Sequence, residues 1–99
     1  MNLQNFTIKS QEAVEQAVQL AIQNGQQSIE TTHLLQSLMQ NDEQVIGYLL
    51  KKLNVRVPQV SSVLQATIHS LPKVSGAQPY LSNDANQVLI KAQSYLKEF

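Results

Sequence analysis

The pattern of apolar and polar positions divides the chain into five amphipathic segments with the period of about 3.6 residues that is typical of α-helices. The first lies between Asn5 and Gly25. Thr7 is a suitable N-cap for it, because a threonine hydroxyl can accept from a backbone N–H two or three residues on. Gly25 is a suitable stop, since glycine adopts a left-handed backbone without strain. The apolar positions of this predicted helix are Ala13, Val14, Ala17, Leu20 and Ala21.

Three further helices are predicted before the first long irregular stretch. The second helix is expected to have its N-cap at Thr31 or Thr32 and to end at Asn41. The third is expected to have its N-cap at Asp42 and to end at Asn54. The fourth is expected to start at Pro58 and to stop at Pro72. The third helix is expected to turn five apolar residues inward, namely Val45, Ile46, Leu49, Leu50 and Leu53. The apolar positions of the second and fourth helices are Leu34, Leu35, Leu38 and Met39, and Val60, Val63, Leu64, Thr67, Ile68 and Leu71.

The fifth helix repeats the first at a spacing of 75 residues, which aligns Thr7 with Ser82 and Val14 with Leu89. A spacing this long suggests a duplicated unit. We therefore expect a first repeat at 1–71, a linker or ordered loop at 72–81 and the first helix of a truncated second repeat at 82–99. The inner face of the fifth helix is predicted to comprise Ala85, Val88, Leu89, Ala92, Leu96 and Phe99. Because no stop signal follows that face, the chain is expected to be a piece of a longer protein.

No segment shows the alternation of a β-strand, so the predicted fold is an all-α helical bundle of about five helices. The 99 residues, of which 42% are hydrophobic, suffice for one modest core. The absence of cysteine excludes a disulfide framework and fits a reducing, cytoplasmic location. Seven basic residues balance seven acidic ones, so no field favours nucleic acid or an anionic membrane.

Catalytic and metal-binding patterns are not found in the sequence. His33 and His69 are predicted to lie on different helices without carboxylates at ligand spacing, and His33 is interpreted as a core or capping residue. A helix-turn-helix is disfavoured, because the third helix carries its cations only at its end. We therefore expect neither an enzyme nor a bound cofactor or metal in this chain.

Four segments resemble the N-terminal domains of the ClpB family of AAA+ disaggregases. They are FTIKSQEAV, QSIETTHLL, LLKKLNV and LPKVSG, in that order. The resemblance implies two tandem four-helix repeats related by a pseudo-twofold axis, of which this chain holds the first and the opening helix of the second. It also implies a domain that binds unfolded or aggregated polypeptide. For the full-length protein it implies a cytoplasmic homohexamer that uses ATP and Mg²⁺, with a DnaK-type chaperone system as a further partner.

The resemblance also implies a substrate groove between the first helices of the two repeats. Two amphipathic helices lying side by side would leave such a trough, although residues such as Ala13, Ala17 and Leu89 are more often part of a plain core. The candidate substrate-binding residues are Thr7, Ala13, Ala17, Leu89 and Tyr95. Lys91 stands where the family commonly has leucine, and Thr32 stands where phosphoarginine-binding relatives have glutamate, so phosphoarginine is not expected to bind. The alternative function is a docking module for adaptor proteins of a Clp unfoldase.

Overall fold

The computed structural model describes residues 6–74, 76 and 78–95. Most of this part is helical and very little of it is strand, which confirms the all-α prediction. Two very short strands are added to the five predicted helices. In chain order the elements are α1 (Ile8–Gln23), β1 (Ser28–Ile29), α2 (Thr31–Asn41), α3 (Glu43–Lys52), α4 (Val57–Ser70), β2 (Tyr80–Leu81) and α5 (Asn83–Tyr95).

The two helices that the sequence relates to each other begin with the same cap. The Thr7 hydroxyl accepts from the Ser10 backbone N–H at 3.1 Å, and the Ser82 hydroxyl accepts from the Ala85 N–H at 3.0 Å. In both helices the cap carbonyl also accepts the first helical hydrogen bond, at 2.9 Å. Both predicted caps are therefore confirmed. The predicted stop at Gly25 is also confirmed, since its φ is +68° and its N–H bonds back to Ile22.

The starts of α2 and α3 differ from the prediction. Neither Thr31 nor Thr32 caps α2: the N-cap is Glu30, whose backbone N–H is accepted by the ring of His33 at 2.9 Å. Asp42 does precede α3, but its side chain does not cap the helix. Its carboxylate lies 3.6 Å from the ammonium of Lys9 instead. The buried hydroxyl of Thr32 has no hydrogen-bond partner in the described part of the chain, so it caps nothing.

The later boundaries agree with the sequence. Asn54 has φ +59°, and the N–H of the next residue bonds to Leu50, which ends α3 in a left-handed turn. Pro58 lies in the first turn of α4, where its missing N–H costs nothing. Pro72 follows the last helical residue, Ser70, and its C-cap.

β1 and β2 pair in parallel, with Ser28 opposite Tyr80 and Ile29 opposite Leu81. The hydrogen bonds that join the two segments include those from the Tyr80 N–H to Gln27 at 2.9 Å and from the Ser82 N–H to Ile29 at 3.0 Å. The prediction of no strand missed this pair, because two residues are too few to show an alternating pattern. The pairing fixes the entry of α5 against the segment between α1 and α2, so the end of segment 72–81 is ordered.

α2 lies at the centre of the bundle, in contact with α1, α3, α4 and α5. The main core is formed between α1, β1, α2 and α5, with Phe6, Val14, Val18 and Leu81 packed around it. Its buried residues are Ala17, Ala21, Ile29, Leu34, Ala85 and Leu89.

Two predicted inner faces are partly wrong. On α3, Val45, Leu49 and Leu53 are exposed, since this helix lies at the periphery and packs mainly on α2 and α4. On α5, Val88 and Ala92 are exposed, because only Ala85 and Leu89 reach the core. The 75-residue alignment thus holds for the caps but not for burial. The other two predicted inner residues, Leu96 and Phe99, lie outside the described residues.

Candidate functional site

The close packing of α1 on α2 forms the base of the candidate site. Ala13, Ala17 and Ala21 form a stripe of small side chains on α1, each buried to at least 97%. The hydroxyl of Ser37 on α2 donates to the carbonyl of Ala13, which a close approach of the two backbones permits. Of the five predicted apolar positions of α1, these three alanines are buried, whereas Val14 and Leu20 are only half-buried.

A buried polar network fixes where α2 begins. His33 is fully buried, and its Nδ1 accepts from the Glu30 N–H, so the ring proton resides on Nε2. That proton is donated to Gln26 Oε1 at 2.7 Å, and Gln26 Nε2 in turn donates to the carbonyl of Ile68 at the end of α4. Burial lowers the pKa of His33, and the nearby Glu30 carboxylate opposes this only in part. The prediction that His33 is a core or capping residue is confirmed in both respects.

An open cavity of about 240 Å³ lies where α1, α2 and α5 meet. Leu38, Val88 and Ala92 border it and are exposed, so a ligand could reach it from solvent. Every lining residue except Ser10 is apolar. The lining consists of Phe6, Ser10, Ala13, Val14, Leu34, Leu38, Val88, Leu89 and Ala92. We call this cavity the α1–α5 groove.

The structure brings together two of the five candidate site residues. Ala13 and Leu89 line the groove, one from each of the two like-capped helices. Ala17 is fully buried in the core and does not line the cavity. Thr7 caps α1 next to the groove residue Phe6, and Tyr95 is 46% exposed one turn beyond Ala92, so both lie beside the groove without lining it.

Sequence reasoning missed the contribution of α2 to the groove. Leu34 and Leu38 line it between α1 and α5. The expectation of a trough formed by two side-by-side helices left out the third helix that separates them. The only available signal was the i, i+4 spacing of two leucines, which also fits a buried core stripe.

The charges near the groove are unevenly distributed. The ammonium of Lys9 lies 3.6 Å from the Asp42 carboxylate, which offsets its charge. Lys91 is exposed on α5, next to Ala92 and one turn after Val88, and among the described residues it has no ion-pair partner. Among the described residues, no acidic side chain lines the groove. Within the part of the chain that the structure describes, the Lys91 ammonium is thus a cation beside the groove without an ion-pair partner.

No candidate metal site is found within residues 6–74, 76 and 78–95. No cluster of three or more histidine and carboxylate side chains in this part could hold a metal ion. None of the helices in the same part is both long enough and apolar enough to cross a membrane.

Comparison with known proteins identifies the family. The sequence matches the family described as "Clp repeat (R) N-terminal domain" over residues 5–99. The chain belongs to the Clp repeat N-terminal domain family. The resemblance inferred from the four sequence segments is thereby confirmed.

Individual relatives of this Clp repeat domain agree with that assignment. It is 51% identical over 98 residues to "Chaperone protein ClpB" of Bacteroides thetaiotaomicron, covering 99% of the chain. The protein of the same name from Porphyromonas gingivalis is 44% identical over 93 residues, which cover 94% of the chain. A third, from Staphylococcus aureus, is 30% identical over 103 aligned positions that cover the whole chain. The matched regions are only 11–12% of the length of these relatives.

Proposed function

We propose that this Clp repeat domain is a substrate-docking module of a protein disaggregase, which takes up exposed apolar side chains of unfolded or aggregated polypeptide in the α1–α5 groove. The single observation that carries the proposal is an open cavity with eight apolar lining residues and one serine. A folded protein keeps most of its large apolar side chains buried, so such a groove favours chains that have lost their fold.

The size of the groove supports a side chain as its ligand. At about 240 Å³ it is smaller than the roughly 300–1,000 Å³ that small-molecule sites usually occupy. The described residues that line it do not include the set of converging polar groups that orients a cofactor or substrate. A single hydroxyl, that of Ser10, gives little directional selectivity. We therefore expect weak binding with broad sequence tolerance.

Properties of the whole protein follow only as proposals, because the chain spans about a ninth of its relatives. By analogy with proteins named ClpB, we propose that a full-length form is a cytoplasmic homohexameric ATPase that needs ATP and Mg²⁺. A DnaK-type chaperone system would be its partner. The domain itself is proposed to bind substrate without catalysing a reaction.

A second candidate function is supported by the exposed apolar face of α3. Val45, Tyr48 and Leu49 are each at least 50% exposed, and the Lys52 ammonium lies 5.5 Å from the Tyr48 ring centroid. A contiguous face of this kind suits docking of a folded partner. It is the alternative that the sequence left open, an adaptor-docking module of a Clp unfoldase.

The experiment that separates the two uses matched substitutions on three helices. Val88→Asn changes the groove, Leu49→Asn changes the α3 face, and Val63→Asn is a control on the exposed face of α4. Each replaces an apolar residue that is 49–65% exposed, so all three variants are expected to fold. The probe is reduced, carboxyamidomethylated α-lactalbumin, compared with the native protein by NMR titration.

We expect the unfolded probe alone to bind, and Val88→Asn to weaken that binding at least threefold while Leu49→Asn and Val63→Asn leave it unchanged. The largest shifts should occur at Ala13 and Leu89, with smaller ones at Thr7 and Tyr95. Tyr95→Asp, at the edge of the groove, should weaken binding less than Val88→Asn. A loss of binding with Leu49→Asn instead would favour the α3 face. Equal binding by all variants would reject the groove.

A further inference from the structure

The α1–α5 groove has one charged side chain at its rim that the proposed apolar docking does not use. Lys91 lies on α5 three residues after Val88 and immediately before Ala92, two groove-lining residues. On a helix, residues three apart share a face, so Lys91 borders the opening. Its aliphatic stem can extend along the apolar rim while the ammonium stays in water. A bound chain would therefore pass close to this cation.

No acidic side chain of the described residues lies within ion-pair distance of the Lys91 ammonium. The net charge of the chain is zero, so the domain as a whole has no preference for acidic ligands. Lys9 is paired with Asp42, at 3.6 Å. The nearest acidic residue on α5 is Asp84, seven residues before Lys91, which at the helical rise of about 1.5 Å per residue is about 10 Å away. Because that distance equals the screening length of about 10 Å at 0.1 M salt, the Asp84 carboxylate offsets little of the Lys91 charge.

We propose that Lys91 makes the groove selective among apolar segments of a bound chain. Segments followed or preceded by acidic residues bind more tightly, and segments with basic neighbours bind more weakly. This inference rests on the proposed docking function. The apolar side chain supplies the affinity, and a carboxylate near the Lys91 ammonium adds to it. A basic residue at the same place meets a like charge in a site with no carboxylate in its lining.

The test uses three peptides with one apolar core and neutral spacers, flanked by pairs of Glu, Gln or Lys. Affinities are measured by NMR titration in 0.1 M and 1 M NaCl. For an exposed charge pair we expect the Glu-flanked peptide to bind about threefold more tightly than the Gln-flanked one at low salt. The Lys-flanked peptide should bind about threefold more weakly. Both differences should vanish at 1 M NaCl, where the screening length is about 3 Å.

The control is a second lysine at a remote place. Lys91→Glu should reverse the order of the three peptides, and Lys91→Gln should make them equal. Lys51→Glu on the exposed side of α3 changes the net charge by the same amount, yet it should leave the order unchanged. An equal effect of the two Glu variants would show that net charge decides, and would overturn the proposal.

The remaining outcomes separate this inference from the docking function. Equal binding of the three peptides to the unmodified domain would overturn the selectivity and leave docking in place. Failure of even the Gln-flanked peptide to bind would overturn the docking function, and the selectivity with it.

Discussion

α2 and α3 follow each other directly in the chain, yet they place polar and apolar residues in opposite ways. α2 buries His33, Gln36 and Ser37, all of them polar. α3, which the structure describes in full, contains no buried residue, and its leucine at position 49 is half exposed. Both helices have an amphipathic sequence, so amphipathicity alone does not explain the difference.

The difference arises from position in the bundle. α2 is surrounded by four helices, so even its polar side chains are enclosed, and these need hydrogen-bond partners. His33 and Ser37 have such partners in Gln26, Glu30 and Ala13. α3 packs mainly on α2 and α4, which leaves its apolar face open. Burial in this domain is therefore decided by the position of each helix in the bundle and not by its amphipathic pattern.

Replacing the buried histidine of α2 should give the largest effect. In His33→Ala the Glu30 N–H and the Gln26 side-chain oxygen lose their partner, and each buried unpaired group costs about 1–3 kcal/mol. We expect the free energy of unfolding to fall by about 3 kcal/mol, measured by urea denaturation followed by circular dichroism. His69→Ala, at an exposed position on α4, is the control and should change it by less than about 0.5 kcal/mol. Similar losses in both would contradict the central role of α2.

The second-largest loss of stability should come from overpacking the contact between α1 and α2. Ala17 has no exposed surface, so Ala17→Leu must displace neighbouring side chains, at a cost of about 1–3 kcal/mol. Ala66→Leu on the exposed side of α4 adds the same atoms where there is space. Thermal denaturation should show a clear loss for the first variant and almost none for the second. Equal melting temperatures would mean that α1 and α2 are less closely packed than described.

The buried histidine should also make stability depend on pH. Burial lowers the pKa of His33 in the folded state below the ordinary 6.5, so the unfolded chain binds a proton more readily. The free energy of unfolding should be fully present above pH 6.5 and should fall as the pH drops through 6.5 towards the folded pKa. The slope for one proton is at most about 1.4 kcal/mol per pH unit. Denaturation between pH 5.5 and 7.5 measures it, and a slope that persists in His33→Ala would assign it to other groups.

The sequence predicted local features well, because short-range chemistry decides them. The caps of α1 and α5 and the left-handed ends at Gly25 and Asn54 depend on residues within one turn of each other. The groove was harder to predict. That Leu34 and Leu38 lie between α1 and α5 depends on which helix is central, and no pattern in a single sequence gives that information. The β1–β2 pair, which orients α5, is too short to leave a pattern at all.

The smallest effect on stability should come from the open face of α3. Leu53 is 70% exposed, so Leu53→Gln removes little buried surface, and we expect a change within about 0.5 kcal/mol. Leu34→Gln on α2, where the leucine is 7% exposed, makes the same chemical change in the core and should cost several times more. Urea denaturation at two protein concentrations measures both variants. A large, concentration-dependent loss for Leu53→Gln would mean that a second molecule covers α3 in solution, and the contrast between the two helices would then hold only for the isolated chain.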